Sequence, residues 1–247
     1  MRKKIIAILL VACIFILTVS AVTYGSNHYE RKIIVFNDNI KPDVQNVLVA
    51  KYGYRLKYLH LINATVALLP SEAQEALAKT SGVIGVEDDA KVYTSSLPTI
   101  AKTKSTQILP WGINRINADL AWRVSIGSGV RVAVIDTGID LTHPDLMANV
   151  KGGFNAINRK ESINDDNGHG THVAGVIAAV DNDIGVIGVA PEANLYAVKV
   201  LDKTGTGRIS DAIEGIQWSV DNHMQVVNMS FGTTSYSRAL DKAIKEA

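Results

Sequence analysis

Two short segments hold residue types that could do chemistry together. Val132–Asp140 reads V-A-V-I-D-T-G-I-D, and Asn167–Gly175 reads N-G-H-G-T-H-V-A-G. Arg131–Ile135 is a run rich in β-branched residues that suits a strand buried on both faces, and it ends in Asp136, Thr137 and Gly138. Ligand chemistry in open parallel sheets gathers at the carboxyl ends of strands, where an aspartate can orient a histidine and stabilise its imidazolium form. His169 opens a run of small residues, Gly170, Thr171, Ala174, Gly175, Ala178 and Ala179, that lets a helix lie close against a sheet. A histidine held at the start of such a helix suits a general base. Taken singly, Asp136 reads more readily as a helix-capping or turn residue and His169 as a satisfied core histidine. His169 and His172 form H-x-x-H, which lacks the spacing and glutamate of the H-E-x-x-H metal motif.

Together these segments resemble the subtilisin family of serine endopeptidases (subtilases, peptidase S8). The likeness includes His143-Pro144-Asp145-Leu146, Gly185–Pro191, Leu195–Leu201 and Val227–Gly232, and it spans residues 107–247 and, more weakly, 31–93. It implies that Asp136 is the acid of an Asp-His-Ser triad, His169 its general base, and His172 structural. The family's oxyanion asparagine and nucleophilic serine would fall beyond Ala247. Gly232-Thr233-Thr234-Ser235 and Ser125–Gly129 are explained as loop and turn. The expectation is therefore a truncated precursor, inactive alone. A non-catalytic pseudoprotease, or a propeptide-type inhibitor or binding protein, is the alternative.

The resemblance also implies a structural calcium site. Its ligands would be Gln107, Asp145, the Asn182 side chain and the carbonyls of Val180, Ile184 and Val186, the hard oxygen donors calcium takes. On sequence alone Asp181-Asn182-Asp183 reads as a turn, and Glu161, Asp165 and Asp166 as a solvated loop. Gly205-Thr206-Gly207 and Ser230-Phe231-Gly232 resemble the two segments that bind an extended peptide by strand addition. Without the likeness, each is equally a plain turn.

The elements that must position these residues alternate strand and helix over 107–247. Strands are expected at Val130–Asp136, Gly152–Ala156, Asn194–Val200 and Gln225–Ser230, and helices at Asn117–Ser125, His169–Val180, Ile209–Asn222 and Arg238–Glu246. Ile213, Ile216, Trp218 and Val220 are the apolar members of the third helix. The fold class is α/β, a parallel sheet flanked by helices, subtilisin-like and incomplete. Val226–Met229 lacks a following partner strand, which predicts an open, aggregation-prone edge.

Residues 31–93 read β-α-β-β-α-β, a ferredoxin-like α+β plan. The strands are Lys32–Phe36, Tyr54–Ile62, Thr65–Leu69 and Val83–Glu87. The helices are Pro42–Gly53 and one opened by a Ser71/Gln74 capping box and closed near Gly82. Between an export leader and a subtilisin-like core, this module resembles the family's propeptide. That likeness implies a folding chaperone and inhibitor whose C-terminal stretch lies in the cleft like a product. The domains are then 1–21 signal peptide, 22–93 propeptide, 94–106 linker with the maturation site, and 107–247 the N-terminal part of the catalytic domain.

The leader is Arg2-Lys3-Lys4, the apolar Ile5–Leu17 and the small residues Val19-Ser20-Ala21, an export signal too short to span a bilayer comfortably. Cys13 is the one cysteine among 247 residues and lies within it, so the mature chain needs no disulfide. Lipidation at Cys13 and an uncleaved anchor are the other readings. The net charge of +1, with no basic cluster after the leader, argues against nucleic acid. The expected partners are a protein or peptide substrate and the chain's own propeptide. Once the signal is removed, the expected product is a secreted, extracellular monomer with no membrane attachment.

Overall fold

The computed structural model describes residues 28–95 and 106–247. The leader, Cys13 and most of the 94–106 linker fall outside these residues. The first module runs β1 (Tyr29–Phe36), α1 (Pro42–Ala50), β2 (Tyr54–Leu59), β3 (Ala64–Pro70), α2 (Ala73–Ala78) and β4 (Val83–Asp88). Its sheet order is β2-β3-β1-β4, every neighbouring pair antiparallel.

Three local expectations need correction. The strand foreseen at Tyr54–Ile62 stops at Leu59 and turns through a short 3-10 segment, His60–Ile62, because Asn63 takes a left-handed conformation at φ 49°. The Ser71/Gln74 capping box does not form. Glu72 stands at the N-cap of α2, and no side chain accepts a capping hydrogen bond there. The helix expected at Asn117–Ser125 shrinks to α4 (Ala118–Ala121) after an unforeseen α3 (Trp111–Arg115). The left-handed Asn117 separates the two, at φ 56°.

The second unit is built on a parallel sheet of β6 (Arg131–Asp136), β7 (Val150–Asn155), β8 (Asn194–Lys199) and β10 (Val226–Met229), in the order β10-β6-β8-β7. Among the described residues β10 pairs only with β6, and its Val226 is 48% exposed. Helix α5 (His169–Ala178) covers one face of this sheet, and α6 (Ile209–Asp221) and α7 (Arg238–Glu246) the other.

The two units share a core. Ile34, Phe36, Ala67 and Leu69 of the antiparallel sheet pack on α1 and α2. Ile33, Val35, Ala64 and Val66, the alternate residues on the opposite face, join a cluster with Ile213 and Ile216 of α6 and Ala239 and Ala243 of α7. That cluster continues to Ile135 and Val198 of the parallel sheet. Ile33–Phe36 is thus buried throughout, because helices cover both faces of its sheet. Val220, expected among the apolar members of α6, is instead 36% exposed.

After β4 the chain forms a third, small sheet. Strand β5 (Lys91–Thr94) lies antiparallel between β9 (Thr206–Arg208) and β11 (Phe231–Gly232).

Candidate active site

Asp136 ends β6 and is fully buried, and His169 opens α5 at 3% exposure. His169 Nδ1 lies 2.8 Å from Asp136 Oδ1, which also accepts the Thr137 amide at 2.7 Å. Burial pushes the Asp136 carboxyl above its ordinary range, against the lowering effect of the His169 and Thr137 hydrogen bonds. With Nδ1–H given to the carboxylate, Nε2 carries the ring's lone pair. No hydroxyl among the described residues bonds it. Ser125 Oγ accepts the Gly127 amide, and Ser235 donates its backbone amide to Thr233 Oγ1.

The close approach of strand and helix is set by glycine and threonine. A Cβ on Gly170 would meet the Gly138 carbonyl oxygen at 2.1 Å, so only glycine lets α5 start against the turn that follows β6. The Gly170 amide donates to Thr137 Oγ1 at 2.9 Å, which pins the helix start to that turn.

The loop before His169 is largely exposed, as read, and the Asp166 side chain is 54% exposed; the expectation of a solvated acid fails at Asp165. Asp165 Oδ1 accepts the amides of Asn167 and Gly168, each at 2.9 Å. Its Oδ2 accepts the Thr171 amide at 2.9 Å and the Thr171 hydroxyl at 2.6 Å. Burial raises the Asp165 carboxyl, but these hydrogen bonds outweigh it and hold the group below its ordinary range. Thr171 Oγ1 in turn accepts the Asp140 amide at 2.9 Å, so Asp165 ties the loop, α5 and the segment after β6 together. Asp166 Oδ1 accepts from Lys199 Nζ at 2.7 Å. That buried ammonium also donates to the Thr137 carbonyl at 2.5 Å and the Leu201 carbonyl at 3.1 Å. Asp165 finds its partners within six residues, whereas Asp166 finds Lys199 33 residues away. Glu161 remains exposed, as read. His172 is exposed on α5, and among the described residues no group of three or more His, Cys, Asp or Glu side chains could hold a metal ion.

β9 and β11, which include Thr206, Gly207, Phe231 and Gly232, lie on either side of β5. Thr94 donates its amide to the Gly205 carbonyl at 2.9 Å, and Ile209 donates to the Ala90 carbonyl at 2.9 Å. Tyr93 is opposite Thr206, and Val92 is opposite Gly207. Arg208, which the sequence reading left out, is opposite Lys91. On the other side Phe231 is opposite Thr94, and Gly232 is opposite Tyr93. Ser230 does not pair with β5, and its Oγ accepts Asn228 Nδ2 at 2.9 Å. A Cβ on Gly205 would meet Thr94 Oγ1 at 2.5 Å, so the missing side chain makes room for the inserted strand.

The residues expected to bind calcium draw together around Asp145, which is 3% exposed. Its Oδ2 accepts the Val186 amide at 2.9 Å, while its buried Oδ1 has no partner. Gln107 Nε2 donates to the carbonyls of Val180 at 2.7 Å and Val186 at 3.3 Å, so these oxygens converge on the Gln107 amide. A half-turn of that amide presents its oxygen instead. Asn182 Oδ1 accepts the Ile184 amide at 3.2 Å, the turn geometry read from the sequence. Gly185 is left-handed, and a Cβ there would meet Asp145 Oδ2 at 2.2 Å. An orphaned buried carboxylate oxygen beside convergent carbonyls is a donor set that a hard cation satisfies.

Comparison with known proteins relates this geometry to a family. Residues 127–247 match the Subtilase family, Peptidase S8. The chain is 39% identical over 248 residues to a thermostable alkaline protease of Halalkalibacterium halodurans, covering 99% of this chain and 63% of that protein. It is 40% identical over 257 residues to subtilisin E of Bacillus subtilis, covering 99% of this chain and 64% of that one. Fervidolysin from Fervidobacterium pennivorans, a keratinolytic enzyme related to subtilisin, shares the fold with a TM-score of 0.71 at 23% identity, over 91% of this chain and 39% of its own. This chain carries a Subtilase-family segment, Peptidase S8, at residues 127–247. The chain spans just under two thirds of the length of these two proteases.

Proposed function

We propose that these residues are the precursor portion of a secreted subtilisin-like serine endopeptidase. The observation that carries this reading is the 2.8 Å bond from His169 to the buried Asp136, set beside a strand clasped between β9 and β11. In this reading Asp136 holds the imidazole with Nε2 free to take a proton from a hydroxyl nucleophile. Asp136 stays ionised and stabilises the imidazolium until His169 returns the proton to the leaving amine. Neither Ser125 nor Ser235 serves as that nucleophile, so residues 1–247 alone do not turn over peptide.

Residues 22–93 act as a ferredoxin-like propeptide, with 94–106 the linker cut at maturation. Two features support this. The module covers α6 and α7, and β5 occupies the peptide-binding strand position as a substrate or product would. Gly205, Thr206, Gly207, Phe231 and Gly232 then bind the substrate backbone, with Ser230 supporting the second segment.

Gln107, Asp145, Asn182 and the carbonyls of Val180, Ile184 and Val186 would hold calcium. The cation would neutralise Asp145 and tie the N-terminal segment of the core to the 180–186 loop. The leader at 1–21 directs export, and the product acts as an extracellular monomer on protein or peptide. No helix among the described residues is long and apolar enough to cross a membrane.

The test is a chimaera joining residues 1–247 to the remaining segment of the Halalkalibacterium relative. It is expected to hydrolyse casein and to lose that activity in D136A and H169A. A folded, matured chimaera with no activity, or one whose activity survives H169A, would overturn the reading.

A further inference from the structure

Helix α6 is buried on two sides of opposite chemistry. Toward the parallel sheet it presents Gly215, whose missing Cβ would meet Val200, Ile135 and Val198 at about 3 Å. Toward the module it presents Ser210, Asp211, Glu214, Gln217 and Asp221, spaced as one helical stripe.

Each residue of the stripe meets a polar group of the module. Arg31 Nη2 donates to Ser210 Oγ at 3.2 Å, and Asp89 Oδ1 accepts the Ser210 amide at 2.9 Å. Lys57 Nζ donates to Asp211 Oδ1 and Glu214 Oε2, both at 2.6 Å, and to the Ala156 carbonyl at 2.7 Å. The Leu61 amide donates to Gln217 Oε1 at 3.1 Å, and His60 Nε2 lies 3.0 Å from Asp221 Oδ1.

These contacts differ in what they can distinguish. The β5 ladder is made of backbone hydrogen bonds, which almost any sequence can supply. The apolar contacts discriminate by size alone. The Lys57 contact discriminates by charge. It sits over two carboxylates whose side chains are 10% and 4% exposed, and its own side chain is 20% exposed. Arg159, on the core itself, reaches Glu214 from the other side, so Asp211 depends on Lys57 for its neutralising partner. Removing one member of a buried ion pair leaves a charge without compensation, which costs far more than the intact pair gains.

We infer that this stripe decides which module the core accepts. It fits a module that presents an ammonium where Lys57 stands and rejects one with an uncharged side chain there, while β5 supplies affinity without selection. The inference rests on the reading of the module as detachable, and the experiment separates the two.

Amide hydrogen exchange on the full 247-residue chain reports docking at Ile209 and Thr94, whose amides bond across the junction. The amides of Ala133–Ile135 in β6 and Ile33–Val35 in β1 report whether each unit stays folded. K57M keeps the aliphatic stem and removes the charge. It is expected to speed exchange at Ile209 and Thr94 by about 100-fold, corresponding to two factors of 1.4 kcal/mol, with β6 and β1 still protected. K57M/D211N removes the stranded carboxylate as well and is expected to return to within about tenfold of wild type. V92D puts a charge into the buried β5 position and serves as the control for detachment.

If V92D releases Ile209 and Thr94 but K57M does not, or if D211N fails to rescue K57M, selection by charge is overturned and the detachable module stands. If V92D exposes β6 and β1 together with the junction, the detachable module falls and the inference falls with it.

Discussion

Replacing Asp165 by asparagine isolates the residue that most changes the picture of the site. The carboxylate accepts four hydrogen bonds, two on each oxygen. An amide keeps an acceptor for Asn167 and Gly168 but turns an NH₂ toward the Thr171 amide, where two donors then face each other. The two bonds lost are charge-assisted, worth about 1.5–3 kcal/mol each, and part returns as the loop relaxes, so a loss of about 3 kcal/mol is expected. For a chain of this size that corresponds to a melting point lower by roughly 6–12 °C.

The pH dependence follows from the depressed Asp165 carboxyl. A folded-state pKa below the ordinary 3.8 means the unfolded chain takes up the proton first. Stability from Asp165 is therefore present above that value and is lost as pH falls through the folded pKa. Calorimetric melts of wild type and D165N should differ at neutral pH and converge as the solution is acidified through the carboxylate range. Equal melting at neutral pH, or a gap that widens on acidification, would refute the argument that these hydrogen bonds organise the loop before His169.

Further outcomes follow from single contacts. Burial raises the Asp136 carboxyl, so its contribution favours the folded state below the ordinary carboxylate range and is lost as pH rises through its folded pKa. D136N should therefore melt no lower than wild type at neutral pH, and a lower melt would contradict that sign. G170A places a methyl 2.1 Å from the Gly138 oxygen and should cost about 1–3 kcal/mol in urea unfolding, with weakened contact between His169 and Asp136. Glu87 of the module accepts the Ser237 hydroxyl at 2.5 Å and the Arg238 amide at 3.1 Å at the start of α7, so E87A should destabilise by about 1 kcal/mol and speed exchange at Arg238 and Ala239. Calcium should raise the melting temperature over that in chelator, and D145N should remove the difference. Identical melts with and without calcium would count against the site around Asp145.

Much of this architecture is legible along the chain because the periodic segments are long and local. β6, α5, α6 and α7 each carry their own pattern, and α7 occupies Arg238–Glu246 as read. Asp136 and His169 are legible because each sits at the end of such an element. What resists reading depends on distant partners. β5 is four residues of no marked pattern, foreseen only through the family likeness, that form a strand between β9 and β11. Asp211, Glu214 and Gln217 look like the wet face of an amphipathic helix, yet the module covers them. Asp165 looks like loop chemistry, and its bonds to Thr171, in the first turn of α5, appear only once that helix start is in place. The Ser71/Gln74 box fails for the opposite reason, since a local motif has no force where the chain enters α2 through a helical Glu72.

The central claim is that Asp136 holds His169 as a base with Nε2 free. Nitrogen-15 NMR of the histidines in the 247-residue chain tests it directly. At neutral pH the account predicts His169 protonated on Nδ1, with that proton slow to exchange and shifted far downfield, Nε2 bare, and the downfield signal gone in D136N. A His169 protonated on Nε2, or an Nδ1 proton exchanging freely with water, would contradict it.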